Sequence, residues 1–127
     1  MSERLGSCRP RIVPKPWGEE RIFAETGRYA GKLLVIRKGE TLSYQYHVRK
    51  EETIHVLDGV LGLQLERDGE AADLRVPPGE TFHVTPGTRH RMYAPEGDCL
   101  LVEVSTPELD DVVRLDDRYG RAGTSAP

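Results

Sequence analysis

Cysteine, tryptophan, phenylalanine and long apolar runs are all scarce in this chain. Two cysteines, one tryptophan and two phenylalanines occur in 127 residues, and the formal net charge is only -3. Cys8 and Cys99 lack the paired spacing of a disulfide framework, a zinc-thiolate motif or a dithiol redox motif, so both are expected as reduced thiols. No apolar run approaches the roughly 20 residues of a membrane span, so no membrane association is expected. The opening MSERLGSCRPR carries charge without an apolar stretch of about 7 to 15 residues behind it, so it does not read as a secretory signal, and the cytoplasm is the expected compartment. A small negative net charge lacks the concentrated basic face that phosphate backbones demand, which excludes a nucleic-acid partner. The Arg89 and Arg91 pair reads either as surface solubility or as a holder of one small anion.

What the sequence does have is a succession of short β-rich runs. Between Gly31 and Val104 these read KLLVIRKG, TLSYQYHV, TIHVLDG, VLGLQLERDGE, ADLRVPPGE, TFHVTPG, HRMYAPEGD and CLLVEVS. Such runs, with no helical period among them, predict an all-β sandwich or barrel. Asp58-Gly59 and Asp68-Gly69 are hairpin dipeptides that tolerate positive φ, whereas Pro77-Pro78-Gly79 and Pro86-Gly87 end strands because proline has no ladder donor. Antiparallel hairpins follow. At this length one domain is expected, over residues 14–121. Residues 1–13 read as a loose arm, and Pro14 to Phe23 as a lead-in whose Trp17 packs on the barrel. Ser105 and Glu108 stand in capping-box spacing with Pro107 between them, which predicts one helical turn before VVRL. Residues 122–127 are expected to be a disordered tail.

The chemistry concentrates in GETLSYQYHVRKEETIHVLDG, residues 39–59. Strand alternation puts Gln45 and His47 on one face, with Tyr44 and Tyr46 on the other, where they and Tyr93 are expected to pack. A hairpin return brings Glu52 beside His47, and His90 follows a Pro-Gly turn that aims it at a barrel mouth. Gln45, His47, Glu52 and His90 then offer two imidazoles and two oxygens, a set suited to zinc, manganese, iron or nickel. The plainer reading is four satisfied polar residues in a lumen; the convergence of both segments favours the metal. Parity places His55 on the outside, and His83 as well if Phe82 and Val84 are core.

The spacing resembles the cupins, small barrels of the double-stranded β-helix or jelly-roll kind with two metal-binding motifs. Gly39, Gln45-Tyr46-His47, Glu52 and Gly59 match the first motif, with Gln45 in place of a histidine. Gly79, Thr85-Pro86-Gly87 and His90 match the second, with Thr85 and Ala94 where proline and asparagine are usual. The flanks KPWG, LSYQYH, PGTRHR and EVSTPELDDVVRLDDRYGR are similar to the C-terminal cupin domain of type II mannose-6-phosphate isomerases, found fused to mannose-1-phosphate guanylyltransferases and also free-standing. In that group Gln is a usual ligand at the position of Gln45. The group commonly runs Arg, any residue, Glu, His, Trp where this chain has Lys50, Glu51, Glu52, Thr53 and Ile54, so a lysine stands where a bidentate fork is usual.

The resemblance implies a metal-dependent sugar-phosphate isomerase. The reaction needs a metal to polarise sugar oxygens, a base near C2 and a cation for the phosphate. Lys50, Arg89 and Arg114 are the candidate cations. Glu103 is the candidate base if its strand face points inward; otherwise it is an ion-pair partner of the arginines. The expected partner is a small molecule, a sugar phosphate, and a homodimer is expected because open barrels leave strand edges. Alternative functions are a cupin oxygenase or lyase on another small molecule, and a non-catalytic sugar-binding barrel.

Overall fold

A computed structural model of the chain describes residues 8–123. Most of the expected arm (residues 1–7) and the last four residues of the expected tail lie outside the described residues. Eleven strands succeed one another among the described residues. The lead-in forms a hairpin of β1 (Arg11–Lys15) and β2 (Gly18–Glu25), followed by β3 (Ala30–Ile36) and the short β4 (Tyr44–Tyr46). Next come β5 (Glu52–Asp58), β6 (Leu61–Arg67), β7 (Glu70–Val76) and β8 (Thr81–Val84), then β9 (Arg89–Tyr93), β10 (Cys99–Ser105) and β11 (Val113–Asp116). Two sheets result, in the orders β1-β2-β3-β10-β5-β8 and β11-β4-β9-β6-β7, and every pairing is antiparallel. The expected all-β jelly-roll barrel is therefore present. No helix among the described residues is long and apolar enough to cross a membrane.

One of the two expected Asp-Gly hairpins forms. Asp68 (φ 53°) and Gly69 (φ 81°) both adopt positive φ, the requirement of a tight two-residue hairpin, and join β6 to β7 with Arg67 opposite Glu70. Asp58-Gly59, by contrast, carries the chain from β5 in one sheet to β6 in the other and closes no hairpin, nor do β4 and β5 pair as the expected hairpin of His47 and Glu52. Two further expectations fail in detail. The arm's last residues, Arg11 to Val13, are strand, paired with Ile22, Arg21 and Glu20. Among the described residues no helical turn forms after Val104: Ser105 stays in β10 opposite Glu52, and its hydroxyl donates to the Thr106 carbonyl instead of capping a helix. Tight turns fill the space, with Leu109 N–H donating to Pro107 O (2.8 Å) and Asp111 N–H to Glu108 O (3.2 Å).

Alternation along the strands sorts the lumen into two ends. On β5 the inward residues are Glu52, Ile54 and Val56; on β10 they are Cys99, Leu101 and Glu103; on β9 they are His90 and Met92; on β3 they include Lys32, Leu34 and Ile36. Register aligns like with like, since Leu101 faces Leu34 while Glu103 faces Lys32. One end of the barrel is therefore a packed apolar core of Trp17, Leu34, Ile36, Ile54, Leu63, Met92, Leu101 and their neighbours. The other end is polar. Burial of the apolar end supplies the driving force, at about 25 cal/mol per Å² of apolar surface, that holds the charged end together.

Cys99 belongs to the apolar end, 1% exposed, and Cys8 is exposed; both are free thiols. Burial, with the Asp58 carboxylate nearby, pushes the Cys99 thiol up to about 11. In native protein at pH 8, iodoacetamide is expected to modify Cys8 and to leave Cys99 untouched until denaturant is added. Peptide mass mapping before and after unfolding checks this.

Candidate metal centre

Three ligand-bearing side chains converge at the polar end: His47 from the loop after β4, Glu52 at the start of β5, and His90 on β9. One atom of each lies within 4.8 Å of the others, and all three residues are buried. Glu52 Oε1 sits 3.2 Å from His90 Nε2 and 3.4 Å from His47 Nε2. Gln45 stands directly opposite His90 in the β4–β9 ladder, is buried, and lines the same cavity as His47 and Glu52. The four candidate ligands are thus brought together.

The tautomers are set from outside the cluster. His47 Nδ1–H donates to the Asp111 carbonyl (2.6 Å) and His90 Nδ1–H to the Thr88 carbonyl (2.9 Å). A carbonyl only accepts, so each ring carries its proton on Nδ1 and turns the Nε2 lone pair inward. Glu52 Oε1 and His90 Nε2 are buried without a hydrogen-bond partner. Inward lone pairs facing a carboxylate oxygen are costly when empty-handed and fit a cation; this donor set suits a divalent metal.

Charge balance around Glu52 has the same sense. Burial alone raises a carboxyl, but the His47 and His90 rings, whenever their Nε2 atoms carry protons in place of a bound cation, and the charge of Lys50 hold Glu52 well below the usual carboxylate range. Lys50 Nζ lies 3.3 Å from Glu52 Oε2 and 3.1 Å from Glu103 Oε2, which leaves Oε1 to the histidines. Burial disfavours the Lys50 ammonium, yet the charges of Glu103 and Glu52 outweigh it and raise its pKa. Glu103 is pushed up by burial and by Glu52, against the opposing pull of Lys32 and Lys50. Lys32 completes the chain at 3.6 Å from Glu103 and 3.2 Å from Glu20. Glu103 thus faces inward, and its ion-pair partners are lysines where arginines were expected.

Other candidates fall elsewhere. Arg114 is buried on β11, opposite Gln45 in register, and lines the lumen. Arg89 is next to His90 in sequence, so parity turns it outward, where it is exposed and 3.8 Å from Glu66. Arg91 pairs with Asp116 at 3.0 Å on the outer face. Of Lys50, Thr53 and Ile54, which depart from the isomerase pattern, Lys50 alone enters the lumen's charged end: Ile54 is core at 1% exposure, and Thr53 faces out. His55 is partly exposed beside Thr81, and His83 meets Glu51 at 2.6 Å on the surface. Tyr44 and Tyr93 cover the outer face of the second sheet, each hydrogen-bonded to a carboxylate, Glu66 and Asp73.

Asp111 is the residue that sequence reasoning missed. Its carboxylate accepts from the backbone N–H groups of Val48 (3.0 Å), Arg49 (2.6 Å) and Lys50 (2.8 Å), while its own carbonyl holds His47. It fixes the loop that carries one histidine and the buried lysine. The available signal was the turn VRK, whose three donors require an acceptor; its partner lies over sixty residues away.

The lumen cavity itself is small, about 90 Å³, and shares Lys15, Glu20, Lys32 and Arg114 with a groove of about 670 Å³ outside it, under the β1–β2 hairpin and the 107–112 loop. Among known proteins, the family described as "Cupin domain" matches residues 32–105. The mannose-1-phosphate guanylyltransferase of Escherichia coli (strain K12) is 34% identical over 119 residues, covering 87% of this chain but 23% of that protein. The xanthan biosynthesis protein XanB of Xanthomonas campestris is 30% identical, with 87% and 24% covered. The chain thus spans about a quarter of the length of these relatives. Among solved structures, the capsular polysaccharide assembling protein CapF from Staphylococcus aureus superposes with a TM-score of 0.77 at 18% identity, over 87% of this chain and 32% of that one. KdgF from Halomonas sp. does so with a TM-score of 0.67 at 23% identity, over 77% and 88%.

Proposed function

The chain belongs to the cupin family, and from the contents of its lumen we propose a metal-dependent sugar-phosphate isomerase of the mannose-6-phosphate isomerase type. The observation that carries this reading is the buried convergence of His47, Glu52 and His90, with two orphaned polar atoms, beside a lysine-bridged carboxylate. The similarity to mannose-1-phosphate guanylyltransferases, restricted to a quarter of their length, supports a phosphorylated hexose as the ligand.

His47, Glu52 and His90, with the Gln45 side chain, would hold one divalent ion. When bound, that ion supplies polarisation of a sugar carbonyl and hydroxyl. The chain's own residues do the rest. Glu103 faces the lumen, and its raised pKa brings it toward the range in which a carboxylate accepts a proton from C2 and returns it at C1. Lys50, gripped by Glu52 and Glu103, keeps two buried carboxylates side by side and holds Glu103 in place. In this reading Lys50 is a positioning residue, since both carboxylates already occupy it. Ligand pockets commonly measure about 300–1,000 Å³. The 90 Å³ lumen therefore admits only the reactive end of a hexose, and the 670 Å³ groove takes the remainder.

A coupled assay on mannose 6-phosphate, with each of zinc, manganese, iron and nickel supplied, tests the proposal. Fructose 6-phosphate formation is expected, and no turnover by folded, metal-loaded protein rejects it. Two histidines and one carboxylate also form the set used by iron(II) oxygenases, which supports a second reading. Oxygen uptake with iron(II) in the absence of isomerisation would establish that one.

A further inference from the structure

Two segments that the metal set does not explain, KPWG and RLDDRYGR, meet at the boundary between lumen and groove. In the first, Lys15 pairs with Gly18 across the two-residue turn Pro16-Trp17. A side chain at position 18 would stand 1.8 Å from the Val35 carbonyl oxygen, so glycine is what lets the hairpin lie on β3. Trp17, 2% exposed, plugs the core, and its carbonyl accepts from Arg37 N–H at 3.0 Å. The turn is a rigid mount. It presents Lys15 to both cavities.

The second segment delivers two guanidinium groups. Arg114 is 8% exposed and, like Lys15, lines both the lumen and the groove. Arg121 lines the lumen, and the Asp117 carboxylate holds it through its backbone N–H (2.7 Å), Nε (3.0 Å) and Nη2 (3.0 Å).

Among the described residues, cationic side chains outnumber carboxylates in the lumen lining. The lumen is lined by three carboxylates, Glu20, Glu52 and Glu103, and these are already engaged by Lys32 and Lys50. Lys15, Arg114 and Arg121 add three further cations to the same lining, with Asp117 behind Arg121. Lys15 makes no ion pair within 4.0 Å among the described residues. Burial, together with the charges of Lys32, Arg114 and Arg121 against the pull of Glu20, pushes its ammonium below the ordinary lysine value. Like charges crowded at a half-buried rim are relieved by an anion, and guanidinium forks match phosphate oxygens in pairs.

We infer that Lys15, Arg114 and Arg121 form a phosphate-monoester subsite at the junction of lumen and groove, which anchors the ligand with its opposite end at His47, Glu52 and His90. This rests on the sugar-phosphate reading of the lumen and moves the phosphate contact away from Lys50, which is buried and held by two carboxylates. Lys15 is the residue it adds with no carboxylate of its own.

The test is calorimetric titration of the full-length protein with inorganic phosphate, mannose 6-phosphate and mannose, with metal content measured for every variant. Phosphate and mannose 6-phosphate are expected to bind, and mannose to bind much more weakly. Lys15→Ala is expected to weaken both phosphate ligands by about tenfold or more at unchanged metal content, and Lys15→Arg to restore them. Glu52→Gln is expected to lose metal yet keep inorganic phosphate binding. Equal phosphate affinity in Lys15→Ala, phosphate binding that disappears with the metal in Glu52→Gln, or no phosphate binding by the unaltered chain overturns the subsite. Phosphate binding through Lys15 without isomerase turnover would reject the isomerase and leave the subsite standing. Turnover insensitive to Lys15→Ala would do the reverse.

Discussion

Glu52→Gln is expected to lower divalent metal affinity by more than about a hundredfold and to bring the proposed isomerase activity below detection while the barrel stays folded. The reason is local. Glu52 Oε1 is the atom both Nε2 lone pairs face, at 3.2 and 3.4 Å, and an amide there removes the anionic ligand that balances a dication. The amide keeps the shape of the side chain, and Lys50 keeps Glu103 at 3.1 Å, so the loss falls on the metal rather than on folding. Circular dichroism and elemental analysis of the same sample separate the two effects. Metal retained at full stoichiometry in Glu52→Gln would remove the carboxylate from the ligand set.

The second large effect is on stability. Lys50→Met is expected to cost about 3–5 kcal/mol, because it removes the shared cation and leaves Glu52 and Glu103 buried side by side. Lys32 compensates only one of them, at 3.6 Å from Glu103. Pairing Lys50→Met with Glu103→Leu should recover part of the loss, since the second change takes away the carboxylate left unneutralised. Denaturant melts of the single and double variants measure this. A loss below about 1 kcal/mol for Lys50→Met, the size of a surface pair, would contradict the buried network.

The barrel was legible because period-two alternation and turn dipeptides are local signals: KLLVIRKG, TIHVLDG and CLLVEVS became β3, β5 and β10, and Asp68-Gly69 became the hairpin it predicts. Gln45 and His47 were legible through parity and His90 through the Pro-Gly turn before it, whereas the hairpin expected to bring Glu52 beside His47 does not form: β4 and β5 lie in different sheets, and Glu52 meets His47 where the sheets face each other. What failed had non-local causes. Ser105 could not cap a helix because register with Glu52 held it in the sheet, a constraint absent from the spacing STPE. Glu103 was assigned arginine partners, whereas cross-strand register with Lys32 and the buried amine of Lys50 decided them. Asp111 bonds to residues on the far side of a long crossover, so its role as acceptor for the 48–50 loop leaves no mark in its own neighbourhood. Arg89, a candidate cation, stands one position from the candidate ligand His90, and in a strand that means the other face.

The departures at Thr53 and Ile54 also look different in three dimensions. Ile54 seals the apolar end two residues below Glu52, and Thr53 lies outside, so neither enters the charged end of the lumen. Of these three departures from the isomerase pattern only Lys50 reaches the charged end, where two carboxylates grip the amine.

Metal analysis of the purified, full-length chain tests the central claim most directly. The account predicts close to one divalent ion per chain, retained through gel filtration and lost in Glu52→Gln. A folded chain that carries no metal, and takes up none of zinc, manganese, iron or nickel on titration, would contradict it.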